Sequence, residues 1–317
     1  MYVTEAILRG IRDTLSWRVI RIALMSSIPL ALLWIGVAWL LWQPVTGVTS
    51  MLIGWVPFSI LKANGAFLIG GFVWFGAVLG TFALVVALFN VPIFKFVPQE
   101  KFEYFSILLL LFIAMGWSLF AFFNWDFVYL EVSKMLTWFT FQTLQVGVAQ
   151  MLALLFFYNL FIVSLVVVVL IYHKPFLSAL QQRDYPGVEL VQEYQARKFL
   201  PVAMRDIVIF FLLMTLFFPL FFIPFINMML QVLFWAWLIK DSYFLAAASL
   251  YASDEEIKAL KQHTFVLWGI AFLTSLFNLL PVINIFAPFF AMIVFFHWVM
   301  LNRPRLPIPL TEGEPEG

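Results

Sequence analysis

Apolar residues occur in long unbroken runs, separated by short polar segments. The first four runs cover residues 22–42, 66–92, 104–124 and 147–172. Each holds about 20 or more apolar residues, which is enough for an α-helix to cross the ~30 Å hydrocarbon core of a bilayer. We therefore predict four transmembrane helices, in an all-α membrane protein.

Two later apolar runs, 207–239 and 265–301, are each interrupted by the same tetrapeptide, Pro-x-Ile-Asn. A proline inside a helix removes one hydrogen bond and ends or kinks the helix, so we place a turn at Pro224 and another at Pro281. The resulting half-helices would be about 22–30 Å long. We predict two helix–turn–helix hairpins that each enter and leave the membrane on one face.

The asparagines of these tetrapeptides, Asn227 and Asn284, are candidate caps for free N–H groups at the start of the descending helices. Free N–H groups and the helix dipole favour an anion at such a place. An asparagine that only closes the turn explains the pattern equally well, and the sequence leaves both interpretations open. The two runs form a weak internal repeat that resembles the broken-helix pairs of transporters.

The basic residues predict an orientation. All Lys and Arg residues except Lys62 and Lys134 lie on one side if the N-terminus is cytoplasmic. By the positive-inside rule, both termini are then cytoplasmic, and both hairpins begin and end at that face. Connector 173–206 contributes four candidate residues of a cytoplasmic vestibule that gathers anions: Arg183, Arg197, Lys198 and Arg205. Positive-inside bias alone would give the same excess of charge.

Three segments complete the predicted organisation. Residues 1–21 form an interfacial amphipathic helix that runs into the first span, with Ile7, Ile11, Leu15 and Val19 opposite Arg9, Asp13 and Arg21. Residues 22–301 form a single transmembrane domain, and 302–317 is a Pro- and Glu-rich tail predicted to be disordered. In connector 240–263, Ser253 and Glu256 have the spacing of a capping box.

The composition indicates a lipid environment and limits the possible binding partners. The chain is 64% hydrophobic and 11% charged, whereas soluble domains are ~25% charged, so the expected partner is the lipid bilayer. A net charge of +1 gives no basic face for nucleic acid. The absence of cysteine excludes disulfides and thiol chemistry.

Catalytic and metal-binding patterns are missing from the sequence. We find no phosphate loop, nucleophile–base pair or zinc motif, and expect no enzyme activity, cofactor or metal. No charged residue lies deep inside a predicted span, which disfavours proton-coupled transport. We predict that His297 is a hydrogen-bonded residue at the membrane interface, and that Asn159 bonds a neighbouring helix.

Three stretches resemble the CysZ-type sulfate permeases and the etoposide-induced-protein family to which they belong. They are LTSLFNLLPVINIFAPFFAMIVFFHW (273–298), FFIPFINMMLQVLFWAWLIKDSYF (221–244) and HKPFLSAL (173–180). The resemblance covers about 145–301. It implies a permease for a small inorganic anion such as sulfate, and a homo-oligomer in a bacterial-type inner (plasma) membrane.

Two departures from the family's pattern leave a second function open. The family's permeases share a Gly-x-Arg-Arg-like element before the first span, whereas this chain has only Arg18 and Arg21, one helical turn apart, as candidate anion-binding residues. Segment 50–145 adds apolar material that we interpret as extra spans. The alternative is a non-transport membrane structural or assembly factor of the same family.

Overall fold

The computed structural model describes residues 2–54, 58–96, 101–136, 141–188, 199–217, 220–221, 224–280 and 283–303. Within these ranges the chain is helical and contains no strand, which confirms the all-α prediction. The helices are α1 (Val3–Thr14), α2 (Trp17–Ile53), α3 (Phe58–Phe96), α4 (Phe102–Phe123), α5 (Trp125–Leu136), α6 (Phe141–Asp184), α7 (Leu200–Leu216), α8 (Pro224–Tyr251), α9 (Asp254–Lys261), α10 (Thr264–Ser275) and α11 (Ala287–Asn302), with 3₁₀ turns at Leu276–Leu279 and Ile283–Ile285. The predicted tail lies, from residue 304 onward, outside the described residues.

Four described segments are long and apolar enough to cross a membrane: Trp17–Ile53, Ile69–Leu88, Tyr104–Phe123 and Gln145–Asp184. They confirm the four predicted spans. With 37 and 44 residues, α2 and α6 are about 55 and 66 Å long, so both extend beyond a ~30 Å hydrocarbon core.

Helices α2 and α6 pack against each other in antiparallel directions. Trp34 Nε1 donates to Ser164 Oγ at 3.0 Å, and Thr49 Oγ1 donates to the Ala149 carbonyl at 3.0 Å. The same register brings the start of α2 to the level of the last turns of α6. The start of the first span and the end of the fourth span therefore lie side by side at one end of the molecule.

The first predicted hairpin is formed by α7 and α8. Tilted aromatic pairs join the two segments, with ring centroids 5.0 Å apart for Phe210 and Trp235 and 5.8 Å apart for Phe217 and Phe234. Helix α8 begins at Pro224, as predicted from the loss of its N–H. It does not end at the predicted connector 240–263 but continues to Tyr251, because this part is buried in the bundle.

The second hairpin consists of α10, the two 3₁₀ turns and α11. Every residue of α11 from 287 to 300 is buried. Trp298 packs on Phe244 of α8 at 6.0 Å between ring centroids, and Trp268 of α10 packs on Trp237 of α8 at the same distance. Helix α11 is thus the central helix of the bundle, and the two hairpins pack against each other.

The tip of the second hairpin lies at mid-depth. Ile283 shares a small apolar cluster with Val78, near the middle of the α3 span, and with Ile113, near the middle of the α4 span. Helix α8 of the first hairpin contacts the 3₁₀ turn 276–279 of the second. The stretch from Asp206 to the end of α7 is about 15 Å long and the 12 residues of α10 about 18 Å, which is roughly half of the ~30 Å core.

The open ends of both hairpins lie at the same end of the molecule as the N-terminus. The Tyr2 amide donates to Asn302 Oδ1 at 3.4 Å, and Arg303 lies 3.5 Å from Glu256. The predicted capping box is present in α9, where Ser253 N donates to Glu256 Oε2 at 2.7 Å and Glu256 N donates to Ser253 Oγ at 3.3 Å. The charge pattern requires that each hairpin begin and end on the same side, and this arrangement meets that requirement.

Helix α1 differs from the prediction in two respects. It ends at Thr14 and does not run into α2, which starts at Trp17 after a break. Its buried face consists of small and polar residues, Ala6, Gly10, Asp13 and Thr14, and it packs on α11. Of the predicted apolar stripe, Ile11 and Leu15 are exposed, because lipid satisfies large apolar side chains while small ones let two helices approach closely. Ile7 packs partly against the core, and Val19, which belongs to α2, is buried.

Candidate functional site

Three polar side-chain atoms at the tip of the second hairpin have no hydrogen-bond partner. They are Ser275 Oγ, Asn278 Oδ1 and Asn284 Oδ1. Ser275 is 0% and Asn284 2% exposed, so water does not replace the missing bonds. Leaving a buried polar group unpaired costs about 1–3 kcal/mol, and a cluster of such groups in a native fold calls for an explanation. A polar ligand at mid-depth would provide one.

The predicted capping role of the two asparagines is wrong. Asn227 Oδ1 accepts a hydrogen bond of 2.7 Å from Gln231 Nε2, one turn further along α8, and caps no backbone N–H of a described residue. Asn284 uses its own backbone N–H to reach the Leu280 carbonyl at 2.9 Å, while its side-chain oxygen has no partner. Both side chains are nevertheless buried at the tips, 3% and 2% exposed.

The descending helices present their N-termini at these tips. Helix α11 has Phe286 at its N-cap and no side-chain cap, so its first N–H groups keep their positive partial charge. Helix α8 starts at Pro224, and the equivalent Pro281 lies outside the described residues. The start of α11 follows Ile283, which packs beside the middle of two spans, and a positive helix end there gives a local potential that favours an anion.

A buried ionic network occupies the end of the molecule where α1, α6 and α11 meet. Asp13 and His297 are both 0% exposed, and Asp13 Oδ2 lies 2.8 Å from His297 Nε2. Asp13 Oδ1 lies 2.6 Å from Arg183 Nη2 and 3.0 Å from Arg12 Nε. Burial disfavours ionisation of Asp13, but the hydrogen bonds from His297, Arg12 and Arg183 outweigh it and hold the pKa of this carboxyl well below its usual value.

Tyr185 extends the network and fixes the tautomer of His297. Arg9 Nη1 donates to Tyr185 Oη at 3.2 Å, since a guanidinium has only donors, and Tyr185 Oη lies 3.0 Å from His297 Nδ1. If Tyr185 donates to Nδ1, then Nε2 carries the hydrogen that bonds Asp13. In that arrangement each bond between Arg9, Tyr185, His297 and Asp13 joins one donor to one acceptor.

The same network contains three groups that could ligate a cation. Single ligand atoms of Asp13, Asp184 and His297 lie within 4.8 Å of one another. Arg183 Nη2 already lies 2.7 Å, and Arg12 Nη2 3.2 Å, from Asp184 Oδ2. Because two guanidinium groups neutralise the two carboxylates, a closed network of ion pairs describes the cluster better than a metal centre.

A cavity of about 470 Å³ adjoins this network, between the start of α2 and the end of α6. Arg18 and Arg183, which the sequence analysis placed in two separate candidate sets, both line it, together with Ser16 and Ser26. Arg21 is exposed and does not line the cavity. The rest of the lining is mainly apolar.

The vestibule predicted from connector 173–206 is only partly described. Arg183 belongs to the network around Asp13, whereas Arg205 lies 2.7 Å from Asp206 and 4.0 Å from Asp241. These two arginines therefore have separate carboxylate partners. Arg197 and Lys198 lie outside the described residues.

Sequence reasoning missed the buried Asp13–His297 pair. The two residues are 284 positions apart, and Asp13 sits on the predicted polar face of an amphipathic helix. His297 is hydrogen-bonded as predicted, but it is buried in the bundle. Asn159 Nδ2 donates to the Leu155 carbonyl of its own helix at 2.8 Å, not to a neighbouring helix.

One comparison with known proteins gives a match. The sequence profile of the family described as sulfate transporter CysZ/etoposide-induced protein 2.4 matches residues 102–288, more than half of the chain. The match contains both hairpin tips and begins inside segment 50–145. Among curated proteins and solved structures, none matches the chain significantly.

Proposed function

The chain belongs to the sulfate transporter CysZ/etoposide-induced protein 2.4 family, and on that premise we propose that it is a permease for a small inorganic anion of the sulfate type. We place it in a bacterial-type inner membrane, with both termini cytoplasmic. Homo-oligomerisation and the lack of enzyme activity stay predictions.

The observation that carries the proposal is the second broken hairpin, whose Ile283 packs beside the middle of the α3 and α4 spans and whose turn 276–279 contacts α8 of the first hairpin. Helix α11 begins just after this turn, so its positive end lies near mid-depth. Unpartnered polar groups of Ser275, Asn278 and Asn284 lie at this hairpin's tip. The Ser275 hydroxyl can donate a hydrogen bond to an oxyanion, and Asn278 and Asn284 can donate through Nδ2 once the amide turns its oxygen away from the ligand; such donors are worth more in a site that excludes water.

Charge distribution supports entry from the end that holds the N-terminus. Basic residues of that end, including Arg205, would raise the local concentration of anions. The carboxylates there are paired, so they repel an approaching anion only weakly. The anion would then exchange its water shell for the donors at the tips.

The decisive experiment is uptake of labelled sulfate into proteoliposomes by the wild type and by Asn227→Leu and Asn284→Leu. Each substitution removes a tip amide, and loss of one hydrogen bond to a charged group is worth about 1.5–3 kcal/mol, so flux should fall roughly tenfold or more. Asn159→Leu is the matched control, because Asn159 is also buried but lies outside the hairpins. Its flux should follow its folded yield.

Equal losses of flux and folded yield in the two tip variants would show that these asparagines only close turns. If the wild type neither takes up sulfate nor shifts its melting temperature with sulfate, sulfite, thiosulfate or phosphate, the permease proposal fails. The second candidate, a structural or assembly factor, would then lead. It is favoured by the missing paired-arginine element before the first span.

A further inference from the structure

The cavity between α2 and α6 has two chemically different parts. One end carries Arg18 and Arg183 with the hydroxyl-bearing Ser16, whereas Ser26 lies about two turns further along α2. Aliphatic and aromatic side chains form the remaining wall, among them Ile22, Val168, Val169, Phe176 and Phe289. A volume of about 470 Å³ equals roughly fifteen times the ~30 Å³ share of one water molecule. An inorganic ion of five heavy atoms would leave most of this apolar space without contacts.

The charged end of the cavity has guanidinium groups available for a ligand. Arg18 is exposed and forms no ion pair with any described residue. The bonds that Arg183 makes to described carboxylates use Nε and Nη2, and its side chain is 46% exposed. A phosphate oxygen can therefore approach both arginines without breaking the network around Asp13.

The position of the cavity matches the level of lipid headgroups. It lies where the first span begins and the fourth ends, at the end of the molecule that carries most basic residues. Basic pockets between transmembrane helices on the cytoplasmic side are suited to acidic headgroups. A phospholipid presents its phosphate and its acyl chain in the same order as the cavity presents its arginines and its apolar wall.

We propose that this cavity binds one anionic phospholipid, with its phosphate on Arg18 and Arg183 and part of an acyl chain against the apolar wall. The proposal goes beyond the permease function and does not depend on it. The transported anion would bind at the hairpin tips, and the lipid would bind between α2 and α6.

Native mass spectrometry of the detergent-purified protein tests the lipid site, with phosphatidylglycerol as the anionic lipid and phosphatidylcholine as the zwitterionic one. The wild type should retain one phosphatidylglycerol at least about tenfold more tightly than phosphatidylcholine. Arg18→Gln should lower that affinity about tenfold, since a charge-assisted hydrogen bond is lost. Arg21→Gln is the matched control, with the same charge change one turn away and outside the cavity, and should leave it unchanged.

Ala179→Leu separates a lipid from a free ion. Ala179 lines the cavity one turn before Arg183, so a larger side chain there takes space that the lipid would occupy but keeps both arginines. It should weaken phosphatidylglycerol binding and leave sulfate binding and uptake as in the wild type. If Ala179→Leu folds poorly, Ser26→Leu fills the same cavity from α2.

Three results would overturn the lipid site. Equal losses of phosphatidylglycerol affinity in Arg18→Gln and Arg21→Gln would indicate that the lipid is attracted to surface charge and is not bound in the cavity. Unchanged lipid binding in both filling variants would exclude the apolar wall. Arg18-dependent binding of inorganic phosphate or sulfate that the filling variants do not weaken would assign the cavity to the free ion. Failure of sulfate uptake alone would end the permease proposal and leave the lipid result intact.

Discussion

Asn227 and Asn284 occupy equivalent positions in the repeated tetrapeptide, yet their side chains have different surroundings. Asn227 is bonded to Gln231, while the side-chain oxygen of Asn284 has no partner. The two residues should therefore respond differently to the same substitution, although the sequence treats them alike.

Asn284→Leu should leave the melting temperature of the detergent-solubilised protein unchanged or raise it. The substitution removes a buried unpaired acceptor, and burying such a group costs about 1–3 kcal/mol. Asn227→Leu should lower it, because the bond to Gln231, worth about 0.5–1.5 kcal/mol, is lost. Thermal unfolding of both variants at pH 7 measures the contrast. A larger drop in melting temperature for Asn284→Leu than for Asn227→Leu would mean that the side-chain oxygen of Asn284 has a partner in the folded protein.

Asp13 links stability to pH. Its pKa is depressed in the folded protein, so its contribution is fully present above its usual value of about 3.9 and is lost as pH falls below it. Wild-type melting temperature should drop progressively as the pH falls from about 4 to about 2. Asp13→Asn should melt lower at pH 7, because breaking a buried ion pair costs about 3–5 kcal/mol, and should lose less on acidification.

Asp126→Asn is the control for that titration, since Asp126 is exposed on α5. Its melting curve should follow the wild type at every pH. An acid sensitivity of Asp13→Asn as steep as that of the wild type would assign the effect to other carboxylates.

At the scale of elements, breaks and spans were predictable from the sequence, whereas the contact face of α1 was not. Lipid requires long apolar runs, and proline marks an interruption, so α2, α6 and the start of α8 follow from local pattern. For α1, amphipathicity gives the wrong inward face, because lipid accepts its apolar stripe. Its inward face depends on Val294 and His297, near the other end of the chain, and no local signal encodes that.

Gly10 shows how closely α1 approaches α11. A Cβ added there would lie 2.5 Å from Val294 Cγ2 and 3.3 Å from Phe290 Cε2. Gly10→Ala should therefore destabilise the protein by about 1–3 kcal/mol through overpacking. Gly36→Ala in α2 is the matched control, since no atom lies within 4 Å of its added Cβ, and it should be neutral or stabilising by up to about 1 kcal/mol.

Thermal unfolding of the two glycine variants under one detergent condition compares them directly. A neutral Gly10→Ala would show that α1 shifts away from α11 without cost. That result would also weaken the idea that α1 and α11 form a tight, fixed contact around Asp13.

At the scale of the whole molecule, the start of α1, helix α9 and the end of α11 lie together at one end. Tyr2 contacts Asn302 there, and Glu256 contacts Arg303. Lys134 on α5 lies beyond the far end of the α4 span. The positive-inside rule assigns the first end to the cytoplasm, so the two ends should differ in access from outside.

The chain has no cysteine, so single cysteines report topology directly. In intact spheroplasts, Lys134→Cys should react with a membrane-impermeant maleimide, and Lys258→Cys should react only after permeabilisation. Both lysines are exposed, so burial does not complicate the comparison. The opposite labelling pattern would invert the molecule and remove the proposed cytoplasmic entry.

Helix α6 joins the two sides of the bilayer as one continuous rod of about 66 Å. It carries Ala149, bonded to Thr49, near one end and Arg183, bonded to Asp13, near the other. If the chain is the permease proposed above, a movement of α6 at one end would be carried to the other unless the helix flexes at Pro175, which lacks an amide hydrogen. The two aqueous sides would then be coupled through a single helix.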